Sequence, residues 1–368
     1  MGSSFNRKRV FVLGAGFSKG AGLPLATDLS KMLIEDAIYP DDQDKQVWLS
    51  GFLEQLKWIK GDSRINVEEL FHLAGLQVER WKMHQQCSPV GRTFGPCTPH
   101  NKAEMIECIL EAMTESLPRV IWREQQSSKC DLSPIKRFTD CLKPSDVVVS
   151  FNYDTLVERS LENSGKSWNH GLKDVDESPH GVTVLKLHGS VDWLLLKRGT
   201  GNSKRLTLLY SKKDSNADSG NEAPAEEVEF HWELWRINEE RDVAAEMDRQ
   251  DGLTRYISFP GMSTLGIRKQ LALLPGSGLL WSGAEKELLD AEEIYVVGFS
   301  LAPFDAMTRM LFAAVMQERH TRNQLPTKLR LIDPNADDLV KDYRSVFHLP
   351  FTVIRSLSQD VDWTSLLG

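Results

Sequence analysis

Cysteine is scarce in this chain and nowhere stands in a C-x-x-C pair. There are five cysteines in 368 residues, all between Cys87 and Cys141. An odd, sparse set argues against a disulfide framework and predicts a reduced, cytoplasmic protein. No apolar run is long enough to cross a bilayer, so no membrane partner is expected. A basic excess is also missing. The net charge is −8, which argues against direct nucleic-acid binding. Met1 to Arg9 is short and polar, without the apolar core of a signal peptide. Asn6 stands where a myristoylation signal would carry Ser or Thr. There is no repeat of fixed period. What is present is a globular mixture, 41% hydrophobic and 26% charged, with enough apolar residues for a sizeable core.

The apolar pattern predicts strands alternating with helices. Arg9 to Leu13 is a short, mainly apolar run ending at Gly14, as in a parallel strand covered on both faces. A glycine-rich turn follows, and then a helical pattern at Leu29, Leu33 and Ala37. Further strands are predicted at Val147–Phe151, Val182–Leu187, Ile294–Val297, Lys328–Ile332 and Phe351–Ile354. Helices are predicted from Thr155, over Phe304–Met316 and from Pro334. This order indicates an α/β, Rossmann-like, doubly wound, mainly parallel sheet that occupies the whole chain, residues 1–368. Residues 44–145 interrupt it with helical spacing at Leu49, Phe52, Leu53, Leu56, Leu70, Leu73 and Met105–Met113, and read as a large helical insertion. Its four tryptophans, Trp48, Trp58, Trp81 and Trp122, fit either its own core or a surface for self-association. Residues 198–260 read as a variable insertion. It holds an acidic stretch at 214–229, with six acidic and no basic residues, and helical segments are expected after it up to about 291.

Ligands of such sheets bind outside the carboxyl ends of the strands. The first strand is followed by Gly14-Ala15-Gly16-Phe17-Ser18-Lys19-Gly20-Ala21-Gly22-Leu23-Pro24. The next ends lead into Phe151-Asn152-Tyr153-Asp154, Leu187-His188-Gly189-Ser190, Gly298-Phe299-Ser300-Leu301 and Asp333-Pro334-Asn335. All five ends carry small or polar residues and can line one cleft. The glycine turn suits a diphosphate, because glycine lets the backbone approach and a helix start offers N–H groups. Its spacing, G-x-G-x-x-x-G, is one residue longer than the usual dinucleotide fingerprint. Taken singly, each residue has a plainer reading: Asn152, Asp154 and Ser300 as helix caps, and His188 as a satisfied buried histidine.

Together, and in this order, the motifs resemble those of the sirtuin family. Gly14 to Pro24 is similar to its nucleotide loop, Asn152 and Asp154 to its Asn–Asp pair, His188 to its catalytic histidine, and Gly298-Phe299-Ser300-Leu301 to its later phosphate-side motif. Asp333-Pro334-Asn335 resembles, less specifically, the segment beside the adenosine ribose. The chain departs from the protein-deacylating members in two ways. Leu25-Ala26-Thr27 replaces their Asp-Phe-Arg, and the zinc module of two C-x-x-C pairs after the histidine is missing. Phe-Asn-Tyr-Asp-Thr-Leu and Leu-His-Gly-Ser-Val-Asp-Trp look instead like the sirtuin-like NADase effectors of bacterial antiphage defence. A stand-alone chain of this length resembles most the subgroup that works with a separate HerA-type ATPase.

The resemblance implies NAD as substrate, cleaved to nicotinamide and ADP-ribose, with no metal. Asn152 and His188 would act at the reacting ribose, and Asp154 would orient it or another polar group. Ser18, Ser300 and the Gly14–Gly16 backbone would hold the diphosphate, with Ala15, Leu23, Pro24, Leu301, Asp333 and Asn335 also lining the nucleotide and Phe17 covering the ribose. A toxic NADase needs gating, so a homo-oligomer or an ATPase partner is expected. An NAD-dependent protein deacylase and a catalytically silent nucleotide-binding sensor or scaffold are the alternatives. Separately, His84-x-x-Cys87 and Cys97-x-x-His100 form two ligand-type pairs that a tetrahedral zinc could use, against accidental spacing on a loop.

Overall fold

The strands alternate their side chains between two separate cores, which is why their sequences are apolar at consecutive positions. In β1 (Arg9–Leu13), Val10 and Val12 enter one core while Phe11 and Leu13 enter the other. β2 (Val147–Ser150) divides likewise, with Val147 and Val149 against Val148. The computed structural model describes residues 8–37, 43–60, 66–87, 99–171, 180–198, 208–212, 231–236, 259–262, 277–302 and 305–367.

β3 (Trp168–Asn169), β4 (Val182–Lys186), β9 (Glu293–Val297), β10 (Lys328–Ile332) and β11 (Thr352–Ile354) complete the sheet. Its order is β11-β10-β9-β1-β2-β4-β3, and every pairing is parallel. Helices α6 (Ser133–Asp140) and α7 (Leu156–Asn163) cover the Phe11 face, which continues through Tyr295 and Val297. The Val10 face is covered by three later helices, here α8 (Ser277–Asp290), α9 (Ala306–Thr321) and α10 (Ala336–Phe347). Helices on both faces of a parallel sheet make the fold doubly wound. The chain runs outward from β1 through β2 to β4, then returns to the other side of β1 at β9. The ends of β1 and β9 therefore form the topological switch point, where a doubly wound sheet opens a crevice.

A second sheet follows β4. β5 (Gly189–Arg198), β6 (Leu208–Lys212), β7 (His231–Arg236) and β8 (Phe259–Met262) pair in the order β6-β7-β5-β8. The sequence predicts helix over part of this stretch, and strand is found. His231-Trp232-Glu233-Leu234-Trp235-Arg236 is rich in aromatics, and such segments form strands once a partner is present. That partner is β5, paired from Trp193↔Arg236 to Arg198↔His231. The acidic stretch 214–229 lies outside the described residues.

The chain divides into two compact units. The sheets belong to the first, and among the described residues the second lies in Pro24–Arg123, overlapping the insertion read over 44–145. The second unit holds α2 (Ala26–Ala37), α3 (Gln43–Lys60), α4 (Val67–Cys87) and most of α5 (Pro99–Gln126). Leu33, Leu56, Leu70, Ala74, Met113 and Val120 are among its buried residues. Trp58 is 90% exposed, so core filling does not account for this tryptophan. The side chains of Trp48 and Trp81 lie outside the described residues, as do those of His84, Cys87, Cys97 and His100.

One buried ion pair ties the start of β1 to the start of β2. Arg9 donates to Asp146 through Nε at 2.9 Å and Nη2 at 2.5 Å, and to the carbonyls of Leu367 and Cys141 at 3.0 and 3.2 Å. The Asp146 carboxylate also accepts from the Lys143 N–H at 2.7 Å. Breaking a buried pair leaves an uncompensated charge. Arg9→Met should therefore destabilise the protein by about 3–5 kcal/mol, read as a lower midpoint in urea. Adding Asp146→Leu should return part of that loss. Equal midpoints for Arg9→Met and the unaltered protein would show that the pair contributes nothing.

Candidate active site

The glycine turn after β1 is used first by the protein itself. Gly14 N–H donates to the Val297 carbonyl at 3.1 Å, Gly16 N–H to Gly298 at 2.8 Å, and Phe17 N–H to Gly14 at 2.9 Å. A Cβ at Gly14 or Gly16 would stand 2.6–2.8 Å from backbone atoms of Gly298 or Phe299. The glycines thus let two strand ends touch at the switch point, with a short helix α1 (Ala15–Lys19) starting there. The sequence suggests a cradle of Gly14–Gly16 amides for a diphosphate. In the structure the amides of Gly14 and Gly16 are committed to protein carbonyls, while Ala15 stays exposed. Phe17 is buried with its ring 5.1 Å from that of Phe138, edge to face, which puts it in the core rather than over a ribose. Leu23 is buried, its N–H 3.3 Å from the Ser18 carbonyl, and Pro24 opens the second unit.

Ser18, Asn152 and Asp154 form a closed polar cluster. Ser18 Oγ donates to Asp154 Oδ2 at 2.7 Å, and Asn152 Nδ2 donates to Ser18 Oγ at 3.0 Å and to the Gly14 carbonyl at 2.9 Å. A backbone carbonyl can only accept, so the Asn152 amide has one orientation, with both N–H groups spent and Oδ1 as its remaining polar atom. Asp154 does two jobs. Its Oδ1 accepts from Leu156 N–H at 3.1 Å at the start of α7, the capping role of its plainer reading. Its Oδ2 holds Ser18.

His188 lies at the β4–β5 junction and is buried. Its ring sits 5.1 Å from that of Phe151, 6.0 Å from Tyr153 and 6.4 Å from Trp281. Phe151 stacks on Phe299 at 4.5 Å and 8°, so the aromatic wall continues from β2 to the loop after β9. His188 Nε2 is 3.4 Å from Oδ2 of Asp305. Asp305 caps α9, accepting from Thr308 N–H at 3.3 Å and Thr308 Oγ1 at 2.7 Å. Sequence reasoning missed Asp305, although D-x-x-T before a helical run is a cap signal. An acceptor facing one imidazole nitrogen is placed to orient the ring.

The remaining strand ends gather along the same edge. Gly298 has φ +59° and Leu301 φ +50°. Leu301 is buried and its carbonyl accepts from Arg309 Nη2 at 3.0 Å. Tyr343 Oη donates to the Phe299 carbonyl at 2.7 Å, which anchors the loop from α10. Ser300 is exposed. After β10, Asp333 is half-buried and Asn335 exposed, with Asn335 N–H donating to Asp333 Oδ1 at 2.8 Å. Burial pushes the Asp333 carboxyl up, against that hydrogen bond and the Lys19 ammonium.

No protein-family model matches this sequence, and no curated protein does. Among solved structures the chain is similar, at 13% identity and a TM-score of 0.38, to one described as "Structural Basis for the Mechanism and Regulation of Sir2 Enzymes". That likeness covers 98% of this chain and 90% of the other.

Proposed function

We propose that this chain is an NAD glycohydrolase that releases nicotinamide and leaves ADP-ribose. The observation that carries the reading is the Ser18–Asn152–Asp154 cluster at the ends of β1 and β2, in the same unit as a buried histidine faced by a carboxylate. The nicotinamide nitrogen of NAD is cationic and leaves neutral, so its departure calls for no proton. The site has instead to hold the ribose, shield an oxocarbenium-like centre and supply water. Asn152 has spent its donors on Gly14 and Ser18, so its Oδ1 is the group that can accept from a ribose hydroxyl or the attacking water. His188 can take a proton from either as a general base. Ser18 and Asp154 aim Asn152. Asp333 and Asn335 would meet the adenosine side, with Ser300 on the diphosphate.

By the resemblance of its motifs, the chain would deplete NAD as an antiphage effector, held inactive until self-association or a HerA-type ATPase releases it. The test is direct. Purified protein, alone and with candidate ATPase, is incubated with NAD, and nicotinamide and ADP-ribose are quantified. Both products should appear in equal amounts. Activity should survive chelation, because a neutral leaving group needs no Lewis acid. Loss of turnover in EDTA, restored by zinc, would point to the His84/Cys87/Cys97/His100 set instead. Deacylation of an acetyl-lysine peptide without net NAD hydrolysis would replace this reading by the deacylase.

A further inference from the structure

The turn that carries Asn152 and Asp154 is held by a buried charged pair for which the chemistry above has no use. Lys186 ends β4, and strand alternation gives its side chain the face of Val182 and Val184, the face that α7 covers. It is 1% exposed. Its Nζ donates to the backbone carbonyl of Asp154 and lies 3.3 Å from Oε1 of Glu158 on α7, which is 2% exposed. The preceding carbonyl is held from β5: Val191 N–H donates to Tyr153 at 2.9 Å, and Ser190 Oγ to the same oxygen at 3.4 Å.

The Asp154 carbonyl needs such a donor. The first rung of α7 runs from Arg159 N–H to the Thr155 carbonyl, so the Asp154 carbonyl falls outside the helix ladder, in a buried setting where an unpaired oxygen is costly. A buried lysine is costly as well, and an apolar residue of similar volume would fill the space at less expense. What the apolar residue lacks is an N–H for this peptide. The Glu158 carboxyl is pushed up by burial, with Asp192 and Asp154 adding to that push and Lys186 opposing it.

We propose that Lys186 is a positioning residue of the candidate active site: held by Glu158, it fixes the Asp154 peptide and thereby the aim of the Asp154 carboxylate, of Ser18 and of the Asn152 amide. Its kinetic consequence rests on the NAD-cleavage reading, whereas the geometry is present without any ligand.

Three variants test this. Lys186→Met alone leaves Glu158 uncompensated and should lower the melting temperature. Lys186→Met with Glu158→Leu removes both charges and should recover most of that loss. In this recovered protein kcat for NAD should stay at least about tenfold down with KM little changed, the signature of a misaimed group rather than lost binding. The amide of Leu156, which donates to the Asp154 carboxylate, should exchange faster with solvent at equal melting temperature. Lys186→Arg, which keeps a charged donor, should retain more turnover than the double variant. Full turnover and unchanged Leu156 exchange in the double variant would make Lys186 mere core filling. If the unaltered protein cleaves no NAD either alone or with the candidate ATPase, the functional reading fails by itself, and Leu156 exchange alone decides the positioning role. If the double variant does not fold, Lys186→Arg decides. A folded arginine variant with a protected Leu156 amide but turnover as low as that of Lys186→Met overturns the proposal.

Discussion

Alanine at Asn152 or at His188 should lower NAD cleavage by at least about 100-fold, the lower end of what positioned acid–base groups contribute. The two substitutions should differ in their side effects. Asn152→Ala removes the donors to Gly14 and Ser18 as well as the acceptor, so Ser18 loses a partner and the β1 and β2 ends lose a tie. A lower melting temperature should accompany its loss of activity. His188→Ala leaves that cluster intact and empties a space beside Phe151 and Trp281. Circular dichroism and thermal melts identify which variants remain folded, and a discontinuous assay of nicotinamide measures turnover. A well-folded His188→Ala protein that releases nicotinamide at the original rate would remove the histidine from the mechanism. Asp305→Asn refines the result. If the Asp305 carboxylate orients the imidazole, turnover should fall while affinity for NAD is preserved.

The second large effect is on the fold. Gly298→Ala should destabilise the protein by about 2–5 kcal/mol, summing left-handed backbone strain and overpacking. Gly298 has φ +59°, and a Cβ there would stand 2.2 Å from the Phe17 nitrogen and 2.4 Å from the Gly16 carbonyl carbon. Both are backbone atoms of the glycine turn and have no rotamer by which to yield. The clash would also pull Gly16 N–H from the Gly298 carbonyl. Gly51 is the control. It lies inside α3, and a Cβ there would meet nothing within 4 Å, so Gly51→Ala should stabilise the helix by about 0.5–1 kcal/mol. Equal unfolding midpoints for the two alanine variants would show that the β1–β9 approach is loose.

Much of the architecture was legible because parallel strands announce themselves. β1, β2 and β9 are covered on both faces, so their apolar runs stand out against flanking turns and glycines. β7 was not legible in this way. Glu233 and Arg236 break its apolar character, and pairing with β5 and β6 makes it a strand. Among the candidate site residues, Asn152, Asp154 and His188 were visible as polar groups at strand ends. Asp305 was obscured because the helical pattern begins one residue before it, at Phe304, which hides its place as the cap.

By itself the sequence determined the α/β alternation, the helical block between the first strands and the set of strand ends that carry polar residues. These follow from local periodicity and turn chemistry, which act over a few residues. Tertiary structure alone decided what each end does. The Gly14 and Gly16 amides are engaged by the β9 loop, the Phe17 ring is claimed by the core, and Asp154 is shared between Ser18 and the start of α7. The partners of Lys186 lie 28 to 32 positions away in the chain, at Glu158 and Asp154. The bond between Ser18 and Asp154 spans 136 positions. A donor's partner at such separations is fixed by which strands become neighbours in the sheet, and no local pattern encodes that order.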